Sequence, residues 1–195
     1  MNYRILFVLL SISLCCSAQK SFKYERETRI EKKAFPQNAL ELLEKSLPKK
    51  VRKVKYYKEQ DSLKISYETK LKFEKRKYSI EFSDEGLLED VEVTIKQKHI
   101  TPKTLQKITN YFNANYNSFR IKKIQRQYNN TATKTPGNVL KNAFSNALDV
   151  LYSYEIIAEV KADKKRYFIE ITFTKDGDFT MVRTIIQSSY DHILY

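Results

Sequence analysis

Cysteine, histidine, glycine and tryptophan are scarce or absent in this chain of 195 residues. The two cysteines are Cys15 and Cys16, and the chain has two histidines, three glycines and no tryptophan. A zinc site typically needs three or four Cys, His or carboxylate ligands, and a phosphate-binding loop needs several glycines. Neither pattern is present, and no nucleophile elbow appears. We therefore expect no catalytic, cofactor-binding or metal-binding residues, no cofactor and no enzymatic activity.

The first 18 residues have the pattern of a secretory signal peptide. Arg4 provides the positive charge, Ile5–Leu14 forms a short apolar core, and Ser17-Ala18 offers small residues for cleavage. A membrane-spanning helix needs about 20 apolar residues, and no segment of the chain reaches that length. We expect cleavage after Ala18, export to the periplasm or cell surface, and no membrane span.

Both cysteines lie inside this segment, so the cleaved protein would contain no disulfide and would be held by core packing alone. A bacterial lipoprotein signal also ends at a cysteine. The alternative to cleavage after Ala18 is therefore a lipoprotein anchored at Cys15 or Cys16.

The chain is strongly basic, with 36 Lys and Arg against 23 Asp and Glu and a formal net charge of +13. Its basic runs are interleaved with tyrosines, a pattern also found in single-strand nucleic-acid platforms. An exported protein rarely meets nucleic acid, however, and lysine on exposed sheet faces discourages unwanted strand pairing. A solvated face explains the pattern best, followed by an acidic protein, envelope component or glycan as partner; we expect no nucleic acid.

An internal repeat organises the sequence. The segment from Tyr67 to Gly86 returns, shifted by 91 residues, between Ala158 and Gly177. The identical pairs are Glu68 and Glu159, Lys70 and Lys161, Ile80 and Ile171, Phe82 and Phe173, and Gly86 and Gly177. Alternating Ile and Phe with glycine at a turn is typical of a β-hairpin. Repetition at a fixed spacing indicates a repeated supersecondary unit.

The surrounding pattern predicts the rest of each unit. A helix follows Pro36 and stops at Pro48, a second begins at Thr101-Pro102, and antiparallel strands follow both. The charged segment from Ser21 to Lys33 is an edge strand or an extended arm. We predict an α+β fold: two repeated units of a helix packed on an antiparallel β-meander, residues 19–97 and 98–195. Residues 129–153 are an insertion, with an extra helix carrying Val139 to Leu151.

These features together resemble the PepSY-like, β-lactamase-inhibitor-protein-like group of exported bacterial domains. The matching stretches are Pro36 to Pro48 with its leucines, Val51 to Lys58, Tyr67 to Lys70, Tyr78 to Phe82 with Gly86, and Leu87 to Val93. The second copy is weaker, because Ala158 replaces Tyr67 and the insertion departs from the pattern. The resemblance implies a secreted, non-catalytic domain that binds or inhibits another protein.

One helix can cover only one face of its sheet, so each unit should leave a polar face exposed. Two such sheets side by side would form a broad, shallow, basic surface for an acidic protein partner. We expect this surface to use the residues Tyr56, Tyr57, Arg76, Glu68, Lys70, Glu159 and Lys161. The acidic run from Asp84 to Glu92 is interpreted as a solvated hairpin rim, because its spacing matches no calcium loop.

Two other functions stay open. A small hydrolase, or a hydrolase accessory, would use carboxylates in the cleft between the units, and titratable groups would then converge in a concave pocket with shifted pKa values. A polyanion or glycan binder would show binding that weakens strongly with salt.

Overall fold

The computed structural model describes residues 21–61, 64–130 and 135–186. The predicted signal peptide, its cleavage after Ala18 and the alternative anchors Cys15 and Cys16 lie outside the described residues.

The described residues form a mixed, sheet-dominated fold with ten strands and three α-helices. In chain order these are β1 (Ser21–Lys23), β2 (Glu25–Ile30), α1 (Gln37–Ser46), β3 (Arg52–Asp61), β4 (Lys64–Phe73), β5 (Arg76–Ser83), β6 (Leu88–Thr94), α2 (Pro102–Asn115), β7 (Ser118–Asn129), α3 (Pro136–Ser145), β8 (Ser153–Ala162), β9 (Lys165–Thr174) and β10 (Phe179–Ile185). Short 3₁₀ turns precede α1 at Lys32–Ala34 and α2 at Gln97–His99.

All ten strands belong to one sheet, in the order β1-β10-β9-β8-β7-β6-β5-β4-β3-β2. The pair β1–β10 is parallel and every other pair is antiparallel. The expectation of two separate sheets side by side is wrong, because β6 pairs directly with β7, placing Asp90 opposite Asn129. The sheet therefore runs without a break through both halves of the chain.

The two strands at the ends of this order are neighbours in the chain. Only Tyr24 separates β1 from β2, yet β1 pairs with β10 while β2 pairs with β3. The segment from Ser21 to Ile30 thus joins the two ends of the sheet, and Arg183 on β10 lies 3.5 Å from Asp61 on β3. The sheet closes on itself and has an inner and an outer face.

The outer face carries the apolar core and the three helices. Ala39, Leu40 and Leu43 form one buried stripe on α1, as their helical spacing predicts. On the sheet, the alternating residues Ile80, Phe82, Ile171 and Phe173 are fully buried in the same cluster, together with Ile108 and Phe112 of α2. The alternation of Ile and Phe in the repeated hairpins thus places a buried apolar face on the sheet.

The extra helix within the insertion is present but shorter than expected. Thr135 caps α3 by accepting a hydrogen bond from the backbone of Asn138, and Pro136 occupies the first turn. The helix ends at Asn146, whose φ of 52° is left-handed. Leu148 and Leu151 lie beyond this cap and are exposed, so the prediction that they continue the apolar face of the helix is wrong.

Two glycine turns anchor α1 and α2 to the sheet. Gly86 and Gly177 have φ of 75° and 85°, and each follows a strand at the same point of a hairpin. A Cβ at Gly86 would overlap the Asn38 side chain of α1, and a Cβ at Gly177 would lie 2.8 Å from the Thr104 carbonyl oxygen of α2. Only glycine permits both the left-handed backbone and this close approach.

Candidate functional site

The inner face of the sheet is charged. At its centre is a small cavity of about 40 Å³, enough for one or two water-sized molecules. Six carboxylates and three lysines border this inner chamber, which is lined by Glu27, Glu59, Glu68, Glu81, Glu92, Glu155, Lys23, Lys70, Lys123 and Gln125. Its acidic lining contrasts with the basic charge of the whole chain.

A larger cleft of about 920 Å³ opens from the same face. It shares Glu27, Glu68, Lys70, Lys123 and Gln125 with the inner chamber, so the two spaces adjoin. Eight lysines line it against two glutamates; the lysines are Lys53, Lys55, Lys70, Lys72, Lys77, Lys96, Lys122 and Lys123. The inner face therefore combines a basic mouth with an acidic floor.

Several of these lysines face each other directly across neighbouring strands. Lys55 is opposite Lys70 on β3 and β4, and Lys72 is opposite Lys77 on β4 and β5. Like charges directly opposite each other destabilise a sheet. The glutamates Glu27 and Glu68 compensate Lys70, whose pKa is raised because their attraction outweighs the effect of burial. Among the described residues, neither Lys72 nor Lys77 forms an ion pair with a carboxylate.

Two β-bulges direct further lysines into the cleft. The register shifts on β3 between Arg52 and Lys55, where Lys53 has a left-handed φ of 57°, and on β7 between Ile121 and Lys123. Neighbouring residues of a regular strand point to opposite faces. The bulge on β7 breaks this alternation, so the adjacent residues Lys122 and Lys123 both line the cleft. Lys53, at the bulge on β3, lines it together with Lys55.

One buried carboxylate of the inner face is fully compensated. Glu170 is 1 % exposed, and Lys23 donates to it over 2.6 Å while Arg183 donates to its other oxygen. Burial alone would raise the pKa of Glu170, but the two cations outweigh that effect and lower it. This cluster ties β1 and β10 to β9.

Three other carboxylates repel each other. One oxygen from each of Glu81, Asp90 and Glu92 lies within 4.8 Å of the other two. Burial, followed by the charges of Glu155 and Glu89, raises the pKa of Asp90 to about 8. Burial and the same kind of repulsion raise the pKa values of Glu81 and Glu92 well above their usual range.

Two neutral amides of β7 hydrogen-bond to this cluster. Gln127 donates to Asp90 over 3.1 Å, and Gln125 donates to Glu92. The interpretation of this run as a solvated rim is correct for the exposed Asp84 and Glu85 but wrong for Glu92, which is 5 % exposed, and for the half-buried Asp90.

Three of the predicted site residues meet in the cleft: Tyr57, Glu68 and Lys70. Lys70 lies 5.0 Å from the centre of the Tyr57 ring and 3.1 Å from Glu68. Burial, and then the charge of Glu27, raises the pKa of the Tyr57 hydroxyl. The surface that contains them is a cleft rather than the broad, shallow face that the sequence predicts.

Tyr56 and Arg76 lie on the opposite, outer face. Tyr56 packs 5.0 Å from the ring of Phe35 beside α1. Arg76 is directly opposite Phe73, whose ring packs against Phe144 of α3. The prediction that these two residues share one surface with Tyr57 is therefore wrong, because adjacent strand residues alternate between faces.

Glu159 and Lys161 do not occupy the positions of Glu68 and Lys70. Glu68 is opposite Glu81 on the next strand. The residue 91 positions after Glu81 is Thr172, and the residue opposite Thr172 is Glu155 rather than Glu159. The second hairpin is longer, so the gapless alignment fails on its first strand. Glu159 instead lies at the rim, 3.1 Å from Lys122 and 3.6 Å from Arg166, and neither it nor Lys161 is among the residues lining the cleft.

The sequence interpretation missed Glu155, Glu170 and Glu81 as parts of one charged interior. Burial and the charge of Glu170 raise the pKa of Glu155 to about 7. The available signal was period-two alternation, since each of these glutamates is flanked by apolar residues, as in Ile169-Glu170-Ile171. This alternation predicts that the glutamates share a polar face of the sheet, but it does not predict that the face is enclosed.

No family model matches the sequence, and no curated protein is significantly similar to it. Among solved structures, the fold is similar to that of a DUF2874 family protein from Bacteroides ovatus, with a TM-score of 0.52 and 14 % sequence identity. The alignment covers 77 % of this chain and 87 % of the other. At this level of identity the similarity concerns the fold alone. None of the helices in residues 21–61, 64–130 and 135–186 is long and apolar enough to cross a membrane.

Proposed function

We propose that this protein is an exported, non-catalytic binding domain that takes an acidic segment of a protein partner into its lysine-lined cleft. Occupation of the cleft by a segment of an enzyme would make the domain an inhibitor. The resemblance of the sequence to PepSY-like, β-lactamase-inhibitor-protein-like domains supports a protein as the partner.

The observation that carries this proposal is the opposed pair Lys72 and Lys77 at the mouth of the cleft. Two ammonium groups at directly opposite positions cost stability in the free protein. An acidic ligand between them would offset this repulsion and gain charge-assisted hydrogen bonds from both. The destabilisation caused by Lys72 and Lys77 is explained if the two lysines serve ligand binding rather than folding.

The lining favours a peptide segment over a small apolar molecule. Small-molecule sites are mostly apolar with a few polar groups, whereas half of the residues that line this cleft are charged. Tyr57 and the stems of the lysines offer the apolar contacts that a flexible segment also needs. A glycan or another polyanion is also negatively charged and is therefore the alternative ligand, which the experiment below distinguishes from a peptide.

Replacing Lys72 by Glu separates a binding role from a structural one. The change should stabilise the free protein by about 0.2–1 kcal/mol, since it converts the repulsive pair with Lys77 into an attractive one. It should weaken capture of an acidic protein segment by about tenfold or more, which corresponds to about 1.4 kcal/mol. Urea unfolding and fluorescence anisotropy with a labelled poly-glutamate peptide measure the two effects.

Lys58→Glu is the matched control, because Lys58 is exposed on β3 and opposite Tyr67, on the outer face. This control should leave binding unchanged. Equal binding by wild type and Lys72→Glu would refute the cleft as the binding site. Binding of heparin fragments in preference to the peptide would move the assignment to a glycan.

A photo-crosslinker at Tyr57 identifies the natural partner. In the native cell envelope, a benzoylphenylalanine in place of Tyr57 should capture an acidic segment that peptide mass spectrometry can locate. The same group in place of the exposed Leu87, at the hairpin beside α1, is the control. Capture from Leu87 alone would contradict the proposal.

We also propose that the chain contains two repeated units, residues 19–97 and 98–195. The supporting relationships are the two hairpins at Gly86 and Gly177, where Ser83 and Thr174 make the same backbone hydrogen bonds 91 residues apart. Each hairpin also contacts the first turns of a helix, through Asn38 in one half and Thr104 in the other. Superposition of an experimental structure on itself through this shift tests the repeat.

Export rests on the first 18 residues of the sequence. Intact-mass measurement of the native protein should give a chain that begins at Gln19. A lipid adduct on Cys15 or Cys16 would instead establish a lipoprotein.

The second candidate function is a hydrolase, and the convergence of carboxyl groups with raised pKa values favours it. Glycoside hydrolysis needs two carboxyl groups about 5–9.5 Å apart on either side of the substrate. The close oxygens of Glu81, Asp90 and Glu92 and the small volume of the inner chamber fit that arrangement poorly. Turnover of aryl glycosides or esters that disappears in Glu155→Gln would establish the hydrolase.

A further inference from the structure

Four polar residues of the inner face form a two-by-two block on β5 and β6. Ser79 is opposite Glu92, and Glu81 is opposite Asp90. Directly opposed residues share one face of a sheet, so the four side chains project from the same side. We propose that this block binds one Ca²⁺ ion, with Glu81, Asp90 and Glu92 as carboxylate ligands and the Ser79 hydroxyl beside them.

The spacing of the carboxylates suits a calcium ion. One oxygen from each of Glu81, Asp90 and Glu92 lies within 4.8 Å of the other two. Calcium binds oxygen at about 2.3–2.6 Å, so an ion between these atoms lies near bonding distance of all three. Each carboxylate can also offer its second oxygen, which brings the site towards the six to eight ligands that calcium takes.

Ser79 gives an independent indication of a ligand. Its side chain is 7 % exposed, and its hydroxyl makes no hydrogen bond within the described residues. Buried hydroxyl groups are nearly always satisfied, so one without a partner requires an explanation. Ser79 lines the cleft directly opposite Glu92. At this position the Ser79 hydroxyl oxygen would coordinate a bound cation.

The amides of β7 hold the carboxylates in a binding geometry. Gln127 donates to Oδ2 of Asp90 over 3.1 Å, and Gln125 donates to Oε2 of Glu92. Oδ1 of Asp90 makes no hydrogen bond within the described residues. Hydrogen bonds to a ligating carboxylate from a second layer of side chains are a general feature of metal sites.

The ligand chemistry selects among ions. Carboxylates and a hydroxyl are hard oxygen ligands, and the cluster contains neither the imidazole nor the thiolate that favours zinc or copper. Magnesium requires near-octahedral geometry and usually keeps several waters, whereas calcium tolerates irregular positions such as side chains fixed on two strands. The inner chamber, bordered by Glu81 and Glu92, connects the block to the open cleft.

Isothermal titration calorimetry of the chelator-treated full protein tests the proposal. Calcium at up to about 5 mM exceeds the dissociation constants of extracellular calcium modules, which reach roughly 10⁻³ M. We expect one ion per chain and a higher unfolding temperature with calcium. Asp90→Asn and Glu92→Gln should each weaken binding by about tenfold or more, and Ser79→Ala should weaken it less.

The variants are expected to fold. Asp90→Asn and Glu92→Gln keep the shape of the side chain and remove a repelling charge, and Ser79→Ala removes a hydroxyl that makes no hydrogen bond within the described residues. Near-UV circular dichroism and the unfolding temperature without calcium check this. The matched control is Glu44→Gln, because the exposed carboxylate of Glu44 lies on α1 and pairs with Lys32 at 2.9 Å; this variant should bind calcium as the wild type does. Absence of binding by the wild type or equal binding by Asp90→Asn would overturn the proposal. Glu27, Glu59 and Glu68 form a second group of carboxylates with oxygens within 4.8 Å of one another, so loss of binding in Glu27→Gln alone would also overturn it.

Discussion

The ammonium group of Lys23 lies 2.6 Å from the carboxylate of Glu170, and this contact joins the first described strand to the second half of the sheet. Arg183 donates to the same carboxylate from the adjacent strand β10. The pair is separated by 147 residues in sequence, and Glu170 is almost completely buried. The closed sheet therefore depends on a charge interaction as well as on strand pairing.

Replacing Glu170 by Gln should destabilise the protein by about 3–5 kcal/mol, because it leaves two partly buried cations without their carboxylate. The lowered pKa of Glu170 means that its contribution is present above its ordinary pKa of 4.5 and is lost as the pH falls through the folded-state value. Urea unfolding of both proteins should thus show a difference at neutral pH that shrinks in acid. Glu44→Gln, which removes an exposed carboxylate paired with Lys32, should leave the midpoint unchanged.

Replacing Glu155 by Gln should have the opposite effect. Its pKa rises from 4.5 to about 7 on folding, so the folded state binds a proton more tightly than the unfolded state between these values. Stability attributable to Glu155 therefore falls as the pH rises from 4.5 to 7 and stays low above 7. The variant should be more stable at pH 8 by at most about 3 kcal/mol, and an unchanged pH profile would contradict this assignment.

Truncation of Phe82 to Ala tests the outer core. Its side chain is fully buried, and its ring lies 5.6 Å from that of Phe35. The loss should be about 3–5 kcal/mol in chemical unfolding, as for other buried Phe residues. Phe22→Ala is the control, since Phe22 is 57 % exposed. A change below about half a kcal/mol at Phe82 would mean that the core is placed wrongly.

The two glycines Gly177 and Gly137 should respond to alanine with opposite signs. Gly177 has a left-handed φ and its Cβ would meet the carbonyl oxygen of Thr104, so Gly177→Ala should destabilise by more than about 1 kcal/mol. Gly137 lies in the first turn of α3, where a Cβ comes no closer than 3.9 Å to the Ser46 hydroxyl. Gly137→Ala should be neutral or should stabilise by up to about 1 kcal/mol. Thermal unfolding measures both.

The helices and most strands could be predicted because their apolar residues follow helical or alternating spacing. The burial of Ile80, Phe82, Ile171 and Phe173 follows from such spacing alone. Closure of the sheet could not be predicted, because the sequence of the segment from Ser21 to Ile30 does not indicate which two distant strands the segment pairs with. Strand pairing depends on tertiary context more than on the local sequence.

The candidate site was predicted only in part for a related reason. Glu and Lys alternating with apolar residues give the same pattern on a solvated face and on an enclosed one. Tyr57, Glu68 and Lys70 were correctly predicted to lie on one surface. The bulge at Lys122 and the longer second hairpin at Glu159 could not be predicted, because each changes the strand pairing by only one or a few residues. A shift of one residue moves every side chain to the other face, so such details require the structure.

The position of β1 has a consequence for how the chain folds. Residues 21–23 pair with residues 183–185, so this contact spans about 160 positions and has a large loop-closure cost. The helices and hairpins, whose contacts are local, can form before this contact does. The first strand must wait for the last one, and until it pairs the charged interior is open to water. We therefore expect docking of the N-terminal segment to be the last step of folding.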